Sequence, residues 1–325
     1  MEKPAFASAR PSSLLVGGVG LLAIASIPTG AVLAQAGAPF TVAETGQSYN
    51  RLQQAVNAIG AGRGTIRIAS GVHRQCAVQM QGSISFEAAE PGKAIFDTIP
   101  CEGKAALVLR GTQASVTGLV FQNLVVSDGN GGGIRLEAGA LDVSQSWFKD
   151  SQTGILTVNE RPVTLKVDKS TFTRLGKCRA DGGCSHSLYA GQIGELTVTR
   201  TRFEEGLGGH YLKSRASNVT IAGNSFDDAR GKQTNYLIDL PEGATGTIEN
   251  NWFVQGQDKE NWSAFIALGA EGRGANSSGL TVTRNDARLA PGVDRNTIFL
   301  ADWSGDRPQL VENRIGSGLE PYERR

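Results

Sequence analysis

Charge is scarce in this chain. Only 19% of its 325 residues are Asp, Glu, Lys or Arg, against the usual quarter or so. The 32 basic and 31 acidic side chains leave a net charge of +1. No whole-protein field remains to gather nucleic acid or anionic membrane, so nucleic acid is not an expected partner. Methionine is nearly missing, with two residues. Low charge, few Met and much glycine together argue against a helical bundle or coiled coil. Beyond residue 36 no apolar run is long enough to span a bilayer. Histidine numbers three and cysteine four. What is plentiful is glycine, 42 residues, nearly double the usual share. Hydrophobic residues at 40% supply a core. This composition suits many short strands joined by tight turns.

The N-terminus reads as an address. Lys3 and Arg10 precede an apolar run from Leu14 to about Leu33, and Ala34-Gln35-Ala36 is a small-x-small cleavage site. That is the layout of a secretory signal peptide over residues 1–36, with an uncleaved anchor as the alternative. A secreted or periplasmic protein without a transmembrane segment after cleavage is expected. Residues 37–325 then read as a single domain: a cap over 40–75, rungs over about 76–315 and a short C-terminal tail. A monomer is expected. Export fits the cysteines. Cys178 and Cys184 flank a short loop that a disulfide would close, leaving Cys76 to pair with Cys101. Four buried free thiols are the alternative.

One phrase recurs along the chain. It ends on Phe121, Phe148, Phe172, Phe203, Phe226 and Phe253, with weaker copies ending on Ala287 and Ile315, at intervals of 23 to 34 residues. Each copy starts as an alternating strand and closes on an apolar anchor. Asn224, Asn251, Asn285 and Asn313 each stand two residues before the anchor, where stacked amides can bond from rung to rung. A second phrase falls between anchors, as in Gly-Gly-Ile-Arg-Leu136, His-Ser-Leu-Tyr-Ala190, His-Tyr-Leu-Lys-Ser214 and Asn-Tyr-Leu-Ile-Asp239. Each repeat therefore holds at least two strands and has no room for a crossover helix. Strands that return every turn without helices make a solenoid of parallel sheets.

Ahead of the rungs, Ser48 reads as an N-cap, Tyr49 to Ile59 has helical apolar spacing, and Gly60 reads as the stop. Gly-Thr-Ile-Arg-Ile-Ala-Ser-Gly-Val-His73 follows. This arrangement resembles right-handed parallel β-helix proteins of the pectate-lyase-like superfamily, in which an amphipathic helix caps the first rung. The resemblance spans about residues 40–315. It implies an all-β right-handed parallel β-helix with an N-terminal capping helix. It is weak for activity, because that fold carries lyases, hydrolases, epimerases and adhesins.

Chemistry concentrates in one stretch. His186 and His210 hold the same place in successive rungs, and Asn235 follows when Leu188, Leu212 and Leu237 are aligned. Tyr189, Lys213 and Arg215 then share the outward face. Cations beside Tyr and His suit β-elimination from a uronate sugar, and some β-helix lyases use a Lys/Arg pair. Lys213, its pKa depressed by Arg215, is the candidate base. Arg215 is the carboxylate clamp, Tyr189 or His186 the proton donor, and His210 an orienting group. The expected function is a polysaccharide lyase acting on a uronic-acid polymer. Its partner is thus a polysaccharide or oligosaccharide.

One alternative is a non-catalytic carbohydrate-binding or envelope solenoid, with Trp147, Trp252, Trp262 and Trp303 as stacking platforms. The other is a glycoside hydrolase built on Asp227-Asp228. That pair invites comparison with polygalacturonases but follows Gly209-His210 instead of preceding it. No cofactor is required by the sequence. Calcium remains open through Asp239, Asp258 and Glu260, although no loop has convincing ligand spacing.

Overall fold

In a computed structural model, residues 37–179 and 183–325 are described. The expected signal peptide lies outside the described residues. The chain winds as a parallel β-solenoid whose turns each lay one strand in each of three sheets. The first sheet has twelve strands and the other two have ten each. One turn shows the pattern: Gln113–Thr117 on the first sheet, Leu119–Gln122 on the second and Gly132–Leu136 on the third, before Ala140–Ser144 returns to the first. The recurring phrase thus wraps a corner, with its alternating strand and its anchor on different sheets. The corner is tight because one residue takes positive φ, at Gly118, Gln145, Lys169, Arg200, Gly223, Asn250, Arg284 and Glu312. A single left-handed residue turns the chain sharply without a long loop.

The anchors form the inside of the second sheet. Phe96, Phe121, Phe148, Phe172, Phe203, Phe226 and Phe253 stack face to face at 4.8–5.5 Å between ring centroids. All seven are buried, and each contributes about 1.5–3 kcal/mol by leaving water. Beside them runs the asparagine ladder. Asn224 Nδ2 donates to Asn251 Oδ1 at 3.0 Å, Asn251 to Asn285 at 3.0 Å, and Asn285 to Asn313 at 2.9 Å.

The ends refine the sequence expectations. The helix is Leu52–Ile59, three residues shorter at its start than Tyr49–Ile59. Gln47–Tyr49 is instead a strand, paired antiparallel with Phe40–Val42. Ser48 bonds Thr41 across that pair at 2.8 Å and caps nothing. The first helical N–H, on Leu52, finds Gln75 Oε1 at 3.0 Å. Gly60 ends the helix at φ 59°, a left-handed conformation that glycine adopts without strain. Leu52, Ala55 and Val56 bury the helix's apolar face against the core. At the other end, Leu319–Arg324, expected as tail, pairs with Thr297–Asp302 and continues the third sheet.

Both disulfides pair as expected, Cys76 with Cys101 and Cys178 with Cys184. Such bonds persist in oxidising compartments. Among the described residues, no helix is long and apolar enough to cross a membrane.

Candidate functional site

The site is built on three neighbouring strands of the third sheet, Leu188–Ala190, Leu212–Ser214 and Ile238–Leu240. Leu188, Leu212 and Ile238 stack inward and are fully buried. Alternation then sets Tyr189, Lys213 and Asp239 in one outward row. The alignment on Leu237 is corrected here by one residue. Leu237 and Ile238 are both apolar, and the chain sets Ile238 opposite Leu212. A one-residue slip exchanges faces. Tyr236 therefore continues the histidine stack, where Asn235 was expected. His186 and His210 lie at 4.7 Å between ring centroids, and His210 and Tyr236 at 5.5 Å.

The structure brings all five candidate residues together. Arg215 Nε donates to the Tyr189 hydroxyl at 3.0 Å. His186 meets Tyr189 edge-on at 5.4 Å, and its Nδ1 accepts the His210 backbone N–H at 3.0 Å. Three carboxylates join them. Asp239 Oδ2 lies 2.8 Å from Lys213 Nζ and 3.3 Å from His210 Nε2. Glu271 accepts from Lys213 at 2.6 Å and also from Arg215 Nη2. Glu242 accepts from Arg215 Nη1 at 2.6 Å, and Gln192 Nε2 donates to it from two turns earlier. Glu242 and Glu271 were not anticipated. They sit in corner loops that follow later strands, and nothing periodic marks them.

These partners overturn the expected state of Lys213. Burial pushes its amine down, but Asp239 and Glu271 outweigh that and hold it above its ordinary value. Lys213 is thus kept protonated and is a poor base. The sequence expectation had counted Arg215 and none of the acids. Arg215 is held charged in the same way, by Tyr189, Glu271 and Glu242 against its burial. Burial raises the Glu271 carboxyl, yet Lys213 and Arg215 win and bring it down to about 2. Burial holds the Asp239 carboxyl above its usual range despite Lys213. Burial, then the neighbouring lysines Lys213 and Lys259, brings His210 down to about 3, and burial holds His186 well below its ordinary value. Both imidazoles are therefore neutral at neutral pH.

Behind this face lies a second polar cluster, sealed from water. Asp228 and Lys259 pair at 3.0 Å with neither side chain exposed. Asp228 also accepts from the hydroxyls of Tyr211 at 2.9 Å and Thr234 at 2.8 Å, and from Gly256 N at 3.2 Å. Lys259 spends its remaining donors on Thr234 and on the Asn235 carbonyl. Asp228 is therefore unavailable as half of a hydrolytic pair with Asp227, whose carboxylate caps the Ala229 N–H. The three calcium candidates are held apart by different partners: Asp239 by Lys213, Asp258 by Gln233, and Glu260 by Asn235. Of the tryptophans, Trp147, Trp252 and Trp262 are exposed. Arg295 stacks over Trp262 at 5.5 Å and Arg325 over Trp303 at 4.8 Å.

No protein-family model matches the chain. No curated protein matches it either. Among solved structures it is similar to ORF18 of Geobacillus virus E2, with 11% identity and a TM-score of 0.57. That match covers 84% of this chain and 56% of the viral one, so this chain spans little more than half of its length. The likeness is one of fold.

Proposed function

We propose that the protein takes an acidic glycan along the outer face of the third sheet and cleaves it by β-elimination beside a uronate carboxylate. One observation carries this reading. Lys213 and Arg215 converge on a single carboxylate, that of Glu271, whose side chain is 46% exposed. A sugar carboxylate bound in its place would be neutralised by the same two cations, which acidifies the C5 proton. Proton transfer then falls to Tyr189, whose hydroxyl is held beside that position by Arg215. The Tyr189 oxygen takes the C5 proton as its own hydroxyl proton passes to the glycosidic oxygen on C4. The electron pair left on C5 forms the C4–C5 double bond as the C4–O bond breaks. The departing oxygen leaves protonated, and Tyr189 ends the step as a neutral hydroxyl again. Lys213 acts by charge alone, and His210 orients Asp239 behind it. The pair of disulfides supports an exported protein.

Glycoside hydrolysis is the second reading, favoured by the separation of two acids in one cluster. Asp239 is held above the usual carboxyl range and Glu271 is brought down to about 2. Such divergence suits one acid and one ionised partner.

The test is a panel of uronic-acid polymers incubated with purified protein. Absorbance from unsaturated ends supports elimination. New reducing ends without that absorbance replace it with hydrolysis. Retention on a polymer with neither signal leaves a binding protein.

A further inference from the structure

The outward row that carries Tyr189, Lys213 and Asp239 does not begin there. Register extends it backwards through Leu156 to Arg135. Arg135 borders a cavity of about 90 Å³ that Lys104, Asp128, Asn130, Ile134 and Leu156 also line. Its Nε is buried and has no hydrogen-bond partner.

The surrounding charges explain why. Glu137 accepts from Lys104 at 2.8 Å and from Arg110 at 2.7 Å, and stands 3.5 Å from Arg135 Nε. Glu102 is shared by Lys104, at 3.1 Å, and Arg110. Asp128 Oδ1 takes the N–H of Asn130 at 2.9 Å. Glu137 hydrogen-bonds Lys104 and Arg110, so Arg135 keeps only a 3.5 Å ion pair to it and its Nε has no hydrogen-bond acceptor. A buried N–H without a hydrogen-bond acceptor is unusual and calls for one.

We propose that this cavity is a second carboxylate subsite, with Arg135 as its anchor, for a uronate several units along the same chain. The inference rests on the acidic-glycan reading of the Lys213–Arg215 site. Three rung steps separate Arg135 from Lys213, about 14 Å at the usual strand spacing. A glycan running along the solenoid axis past Lys213 can therefore present another carboxylate to Arg135. Leu156, next in the row, offers an apolar plate to the C–H face of an intervening ring. Planar guanidinium matches planar carboxylate in paired hydrogen bonds.

The experiment is calorimetric titration of the full chain with two-unit and five-unit oligomers of uronates. The wild type is expected to bind the longer oligomer more tightly. Arg135→Ala is expected to weaken the five-unit oligomer about tenfold and the two-unit oligomer less than twofold. Arg135→Gln, which keeps most of the side-chain stem, should show the same length dependence and guards against a folding defect. Equal losses at both lengths, or no loss at either, overturn the subsite while leaving the acidic-glycan reading in place. A wild type that binds neither oligomer overturns that reading and the subsite with it.

Discussion

Two lysine–aspartate pairs lie on neighbouring turns and have opposite characters. Lys259–Asp228 is closed on every side, and each of its donors and acceptors meets a protein partner. Lys213–Asp239 is nearly as buried, but its outer partner is Glu271, a carboxylate half in water. The first pair has nothing to exchange. The second has one partner that a ligand of like charge can replace. Burial of charge is therefore a poor guide to function unless one asks whether a partner is removable.

The sharpest way to break this contrast is to remove each cation in turn. Lys259→Met strands a carboxylate in a dry site and should cost about 3–5 kcal/mol of stability, read from denaturant midpoints. A cost below about 1 kcal/mol would mean that the sealed pair is dispensable. Arg215→Ala should lower turnover on a cleaved uronate polymer about 100-fold while shifting the midpoint less than Lys259→Met does. Similar stability losses with unchanged turnover would erase the distinction. Lys213→Ala is the less clean variant, because it leaves the buried Asp239 short of a cation.

Smaller effects sharpen the comparison. Cys178 packs on Gly208, and His186 on Gly209, so the short disulfide braces the histidine stack. Replacing both Cys178 and Cys184 with Ser should cost about 2 kcal/mol and broaden the His186 and His210 ring signals in NMR spectra. Signals unchanged from wild type would free the stack from the bridge. The smallest effect belongs to Glu271. Its folded pKa of about 2 lies below the ordinary 4.5. Its stabilising contribution is thus present above pH 4.5 and fades as pH falls toward 2. Glu271→Gln should be less stable than wild type at neutral pH, with the gap closing across that window. The same variant should bind a uronate oligomer a few-fold more tightly, about 1 kcal/mol or less, because the internal competitor has lost its charge. Weaker binding would make Glu271 a contributor to the site and not its occupant.

The fold was legible because its evidence is periodic. Phe148 and Phe172 stack because their strands return to the same place, and Asn251 repeats for the same reason. The outward row was legible for Tyr189 and Lys213, where single leucines marked the inward position. It failed at the next rung because Leu237 and Ile238 are adjacent and both buried, so apolar spacing could not choose between them. Glu242 and Glu271 stayed hidden for another reason. They reach Arg215 from 27 and 56 residues away, through corners whose lengths obey no repeat. The state of Lys213 depended on them, which is why its assignment as a base did not survive.

The asparagine ladder has a direction. Asn224, Asn251 and Asn285 each offer their amide N–H groups to the oxygen of the next rung and to a backbone carbonyl on an earlier one: Asn251 Nδ2 donates to Asn285 Oδ1 and to the Ile221 carbonyl. The backbone N–H of Asn251 points to the same Asn285 oxygen. From Asn224 to Asn285, each ladder rung thus directs two donors, a backbone N–H and an amide N–H, at one oxygen of the rung that follows it in the chain. The following asparagine has one placement that accepts both. The seam thus fixes the register of each following turn between Asn224 and Asn313 in the direction of the chain.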